Sequence, residues 1–246
     1  MPIIIQPTLS TGSSTLLQII QAACAELMIQ EPNHVIGNPD PQTKQMLALL
    51  QRLGTDLSRQ HNWQGLVKTH EFTTSENQFS YPLPIDWLSQ IPQTEWDKTN
   101  RWPLNGPATD QQWQVYKSAL IGQGPRIRFR ISGNAVEVDP VYPGYDISFF
   151  YISKNWIASQ EGFGKAKFTS DTDSTIFPDS LLITGLKTAW KSAKGLDGTF
   201  DLAEFRVMLD TIKAQDKSAP KLSLSPQPGE VLLSVANVGD GNWPGR

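Results

Sequence analysis

The chain begins and ends on helical periodicity and changes period in between. In "SSTLLQIIQAACAELMI", Leu16, Ile20, Ala23 and Leu27 fall on one helical line, with Leu17, Cys24 and Met28 beside it. This predicts a helix over 13–29, opened by a serine cap. "EPNHVIGNPDP" interrupts it, and Asp40-Pro41 starts the next helix with a carboxylate cap and proline at the first helical position. Met46, Leu49, Leu50, Leu53 and Leu57 then repeat at helical spacing to about His61. Near the other end Leu182, Leu186, Trp190 and Ala193 form a stripe, with Leu181, Gly185 and Ala189 beside it. Lys187, Lys191 and Lys194 read as its wet face and Gly195 as its C-cap. A last helix to about Gln215 is predicted from an Asp201/Glu204 capping box and a Phe200/Phe205 staple, with Leu202, Phe205, Leu209 and Ile212 buried.

Between these helices the period drops toward two. "LVKTHEFTT" and "NQFSYPLP" flank "SEN" and predict a hairpin. "RIRFRISGNAVEVDP" alternates arginine with Ile127, Phe129 and Ile131, turns at Gly133-Asn134, and returns through Val136 and Val138 as a second hairpin. "YDISFFYIS" is apolar on both faces and predicts a central strand. "PATDQQWQVYKSAL" suits a short helix capped by Thr109 or Asp110.

The predicted fold class is therefore α+β, with a discontinuous helical bundle from 13–62 and 178–215. A small antiparallel β-sheet or barrel module is inserted at 66–156, followed by a long polar loop at 157–177. Residues 216–246 read as a Pro/Ser linker and an extended, apolar docking tail. A two-helix hairpin cannot bury its stripe alone, so the helices from the two ends are expected to pack together.

Composition narrows the function classes. The 246 residues carry a formal net charge of −3, which argues against a general nucleic-acid binder. The one cysteine, Cys24, lies in an apolar helical pattern and reads as a small buried hydrophobe. The opening "MPIIIQPTLSTGSS" lacks the basic region of a signal peptide. No stretch approaches the roughly 20 apolar residues of a membrane span, and no membrane partner is expected.

Candidate chemistry is sparse. His34, His61 and His70 show no ligand spacing. "GFGKA" departs from a phosphate loop, with Ser159 at the first glycine and Ala166 at the metal-binding hydroxyl. "DTDST" departs from a calcium loop, with Ile176 at the required glycine and Leu182 at the bidentate glutamate. The expectation is a chain that is not an enzyme and takes neither cofactor nor metal.

Two features point to partners instead. Arg126, Arg128 and Arg130 share a strand face, either solvated to discourage edge pairing or pairing with acids of an adjacent subunit. Trp243, with Val231, Leu232 and Leu233, lies in the tail and suits docking on another chain. Trp63, Trp87, Trp96, Trp102 and Trp113 cluster in or near the β module and are read mainly as packing. The alternative they offer is a monomeric Trp-rich module that binds carbohydrate or protein.

The order of these segments resembles the head-to-tail adaptor family of tailed bacteriophages, the tail-tubular-protein-A-like or head-completion proteins. The residues that carry the resemblance are "TLLQIIQAACAELMI", the Asp40-Pro41 helix ending in "RQHNWQGL", "YPLPIDWLSQI", "RWPLNGPATDQQWQVYKS", "RIRFRISGNAVEVDPVYPGYDISFFYISKNWI" and "FPDSLLITGLKTAWKSAKGLD". The resemblance implies a virion protein of the particle neck, assembled in the host cytoplasm. It implies a homo-oligomeric ring, dodecameric in relatives, between the portal protein and the tail tube or nozzle. It also implies a lumen through which DNA passes without specific binding.

Overall fold

The computed structural model describes residues 14–118 and 126–216. Val231, Leu232, Leu233 and Trp243, with the rest of the expected tail beyond Asp216, lie outside the described residues. The helices are α1 (Leu16–Glu26), α2 (Pro41–Gln60), α3 (Asp110–Lys117), α4 (Asp179–Lys194) and α5 (Thr199–Asp216). The first strands are β1 (Val67–Thr73), β2 (Ser80–Pro82), β3 (Trp87–Gln90), β4 (Trp96–Asp97) and β5 (Trp102–Pro103). After them come β6 (Arg128–Ser132), β7 (Ala135–Asp139), β8 (Asp146–Ser153), β9 (Ile157–Ala158), β10 (Gly164–Lys165) and β11 (Ser174–Thr175). The fold is α+β with small antiparallel sheets, and no closed barrel is found among the described residues.

Two compact units divide the described chain. One takes residues up to Val67 and from Ile152 onward, and the other takes Lys68–Tyr151. In the first, the helical unit, α4 packs against α1, α2 and α5. Leu16, Ile19 and Ile20 of α1, Leu50 and Leu57 of α2, and Leu181, Leu182 and Leu186 of α4 are completely buried. Each such side chain stabilises the unit by about 1.5–3 kcal/mol.

The helix ends follow local chemistry. Thr15, not a serine, caps α1: its hydroxyl accepts from Gln18 N–H while the Gln18 side chain accepts from Thr15 N–H. The helix stops before Met28, which sits at φ 55° and is exposed, so the apolar line at Met28 is not core. Asp40 caps α2 as expected, accepting from Thr43 N–H at 2.9 Å. Gly195 closes α4 in the left-handed region.

The span 157–177 is not an unstructured loop. β9 is the middle strand of a small antiparallel sheet between β10 and β11, in the helical unit. Just before it, Trp156 is buried and meets Phe168 edge-on at 5.2 Å.

The second unit is built around β8, which pairs with β1, β3 and β4. The β6–β7 hairpin forms about the predicted turn, with Phe129 opposite Val138, Ile131 opposite Val136, and Gly133 supplying a φ of 58°. The expected hairpin across "SEN" does not form. β1 joins β8 while β2 joins β7, so their partners come from far along the chain. Tyr81, Ile127, Phe129, Val136, Ile147 and Phe149 belong to its core.

Candidate functional site

An open groove of about 640 Å³ runs along the helical unit, lined by parts of α2, α4, α5 and the α4–α5 connection. Its floor on α4 is the line Gly185, Ala189 and Ala193, spaced four residues apart on one helical face. Small side chains on this line leave the space. At Gly185 the helices close up: a methyl there would meet Leu53 Cδ2 at 2.7 Å and Phe205 Cε2 at 2.8 Å. Leu49, Leu53, Leu196, Leu202 and Phe205 complete the apolar lining. At the rim, Arg52 and Asp56 form an exposed ion pair at 3.7 Å.

Helix α5 is unusual for an 18-residue helix because Leu209 is its only buried apolar side chain. Phe200 is 80% exposed, Val207 69% and Leu202 36%. The predicted burial of Leu202 is thus overturned, and Phe205 and Ile212 are only half-buried.

Asp201 does much of the work of holding α5. The Asp201/Glu204 capping box does not form: the helix starts earlier, at Thr199, where Asp197 accepts from the Thr199 N–H at 3.0 Å. Asp201 is instead buried and accepts a hydrogen bond from Lys191 Nζ, with Lys187 Nζ 3.5 Å away. Lys187 also reaches Glu26 Oε2 at 2.6 Å, so one charge cluster ties α1, α4 and α5. Lys191, outweighing burial, holds the Asp201 carboxyl below its ordinary range, and Glu26 raises Lys187. The expected wet lysine face of α4 is therefore partly an internal fastening; Lys194, in turn, lies over the Trp190 ring at 4.5 Å.

In the β unit the three arginines do not form a uniform solvated row. Arg128 is buried, its guanidinium 4.2 Å from the Tyr116 ring centre. Arg130 donates to Glu137 at 2.7 Å and Asp110 at 3.1 Å, and lies over the Trp113 ring at 5.0 Å. Only Arg126 is exposed, 5.9 Å over Trp102. The acid partners that one of the two readings sought on an adjacent subunit are supplied for Arg130 within the chain. A signal for this was present: Asp110, Trp113 and Tyr116 fall three residues apart on one face of the predicted α3.

The two near-miss motifs meet each other. Lys165 of "GFGKA" pairs with Asp173 of "DTDST" at 2.9 Å. Burial pushes the Asp173 carboxyl up, but N–H groups of Thr169 and Ser170 and the Lys165 ammonium outweigh it and hold it low. Asp171 accepts from the Val35 and Ile36 N–H groups, at 2.8 Å for Ile36, and so pins the loop before α2. Both acids act as backbone clamps.

The histidines stand in separate surroundings. His61 Nε2 lies 3.3 Å from Asp216 Oδ2, and the His34 carbonyl accepts from the Asn38 amide. His70 lies against Phe149, with ring centres 5.2 Å apart, and burial pushes its pKa down. Among the described residues no group of three or more His, Cys, Asp or Glu is placed to hold a metal ion. No described helix is long and apolar enough to cross a membrane. Cys24 is buried, as its pattern suggested. None of the seven described tryptophans is exposed: Trp63, Trp113, Trp156 and Trp190 are buried, and Trp87, Trp96 and Trp102 half-buried.

The molecule is thus of the α+β class, with a helical unit that presents an apolar groove. No family model and no curated protein matches the chain.

Proposed function

We propose that this chain is a structural assembly protein, a ring-forming adaptor that joins the capsid portal to the tail and continues the DNA channel of a tailed phage. The single observation that supports it most is the α5 surface. An 18-residue helix that buries one apolar side chain, exposes Phe200 and Val207, and lends Leu202 and Phe205 to an apolar groove is shaped for a protein partner. Exposed apolar surface rimmed by polar groups is the usual mark of such contacts. The segment order of the adaptor family adds to this reading, and it gives a homo-oligomer, with portal and tail-tube proteins as partners. Arg126 remains an accessible candidate contact on the β unit.

In this reading DNA slides through the lumen without being gripped. Strong phosphate neutralisation would brake it, and the net charge of −3 fits a weakly interacting wall. Mass photometry of the full chain with purified portal protein tests the proposal. Ring-sized species bound to portal are expected. A chain that stays monomeric and ignores the portal throughout the micromolar range would sink it.

A further inference from the structure

We infer that the groove between α2, α4 and α5 is the acceptor for residues 231–238 of a second copy of this chain. The inference rests on the ring reading above and deepens it by naming the subunit contact.

The first argument is chemical fit. "VLLSVANV" has no charged residue and six apolar ones, Val231, Leu232, Leu233, Val235, Ala236 and Val238. The groove has apolar walls, Leu49 and Leu53 on one side and Leu202 and Phe205 on the other, while its Arg52–Asp56 pair is exposed. Its volume of about 640 Å³ suits insertion of a few side chains.

The second argument is delivery. α5 starts at the groove and runs away from it, and Asp216 at its far end accepts from Gln64 N–H at 3.0 Å. At a rise of about 1.5 Å per residue, Asp216 lies about 21 Å along the helix from Leu202. The chain therefore departs at the end remote from its own groove. The connecting residues 217–230 contain Pro220, Pro226 and Pro228, the composition of a spacer. Fully extended, those residues span at most about 50 Å, well beyond the length of α5.

The third argument is symmetry. Donor segment and acceptor groove are different parts of the same chain, so each copy can receive one neighbour and be received by another, a heterologous contact. Heterologous contacts repeat, and they close into rings when the rotation permits. A two-fold dimer would instead exchange the two segments reciprocally and stop at two copies.

A cysteine cross-link tests this on the full chain. Copies carrying Leu233→Cys are mixed with copies carrying Ala193→Cys, under mild oxidation, at concentrations where mass photometry shows oligomers alone or with portal protein. The expected result is a disulfide-linked heterodimer in the mixture, lost when Leu232→Ser and Val231→Ser are added to the donor. Circular dichroism of each variant confirms that it is folded. A link formed only inside a chain carrying both cysteines would overturn the inference in favour of self-occupation. Oligomers that form without any link would overturn it while leaving the adaptor reading intact. A link in a protein that never binds portal would support the subunit contact and sink the adaptor reading.

Discussion

Gly54 is the position where the packing makes its sharpest quantitative demand. In the middle of an exposed helix, Gly→Ala is worth about 1 kcal/mol of added stability. In α2 the new methyl would lie 2.2 Å from Trp156 Cη2 and 2.4 Å from both Cζ2 and Cζ3. Carbon atoms ordinarily sit about 3.5–4.0 Å apart, so the overlap is about 1.3 Å or more. The obstacle is a rigid ring that is 1% exposed, with Phe168 edge-on at 5.2 Å and Phe177 at 5.9 Å. Overpacking of this kind costs about 1–3 kcal/mol, and a boxed ring places it at the upper end. Against the propensity gain, Gly54→Ala should destabilise the helical unit by about 2 kcal/mol. Urea unfolding followed by far-ultraviolet circular dichroism reads this as a midpoint lowered by about 1 M. The control is Trp156→Phe, which removes the part of the ring that Gly54 touches. In that background the alanine should cost less, giving a coupling energy of about 0.5–3 kcal/mol in the double-mutant cycle. A Gly54→Ala protein as stable as its parent, or strictly additive costs, would refute the close approach.

Four further outcomes are expected. Asp201→Asn should destabilise the helical unit by about 1.5–3 kcal/mol in denaturant melts, since it removes a charged acceptor shared by Lys187 and Lys191. Arg130→Met should cost about 2 kcal/mol in the same assay, whereas Arg126→Met on the exposed position should stay within about 0.5 kcal/mol. The carboxyls of Asp173 and Asp201 are held low in the fold, so their stabilisation is full above about pH 4 and is lost as pH falls through their folded values. Acid titration of Asp173→Asn and Asp201→Asn variants should show a flatter loss. His70 is also held low, by burial, so the unfolded chain protonates first and the β unit weakens as pH drops below about 6.5. His70→Gln should remove that slope in melts recorded from pH 7.5 to 5.5.

What the sequence made legible was local. Asp40-Pro41 marks the start of α2, the Gly133 turn marks the β6–β7 hairpin, and "YDISFFYIS" marks a strand paired on both sides, because each signal lies within a few residues. The failures needed distant partners. β1 and β2 carry strand composition, but β8 and β7 decide their pairing. β9, β10 and β11 are two residues each, too short for alternation to show. Asp201 followed by Glu204 looks like a capping box until Lys187 and Lys191, four apart on α4, are brought beneath it. Of the candidate site, Leu49, Leu53 and Phe205 were visible as apolar, but nothing local says that they line an open groove rather than core.

These misreadings share one direction, and it bears on function. Groups whose charge suggested an outward role are turned inward: Arg128 and Arg130 under α3, Lys187 and Lys191 against Asp201, Lys165 against Asp173. On α5, Leu202, expected in the core, and Phe200, expected in a staple, are turned outward. Buried ion pairs return little net stability over apolar packing, since desolvation offsets most of the attraction. A helix fastened partly by charge while Phe200, Leu202 and Val207 face outward is thus held in place without burying those three, which leaves that surface open to a protein partner. α5 and its groove, rather than the arginine hairpin, are thus the surface best suited to a protein partner.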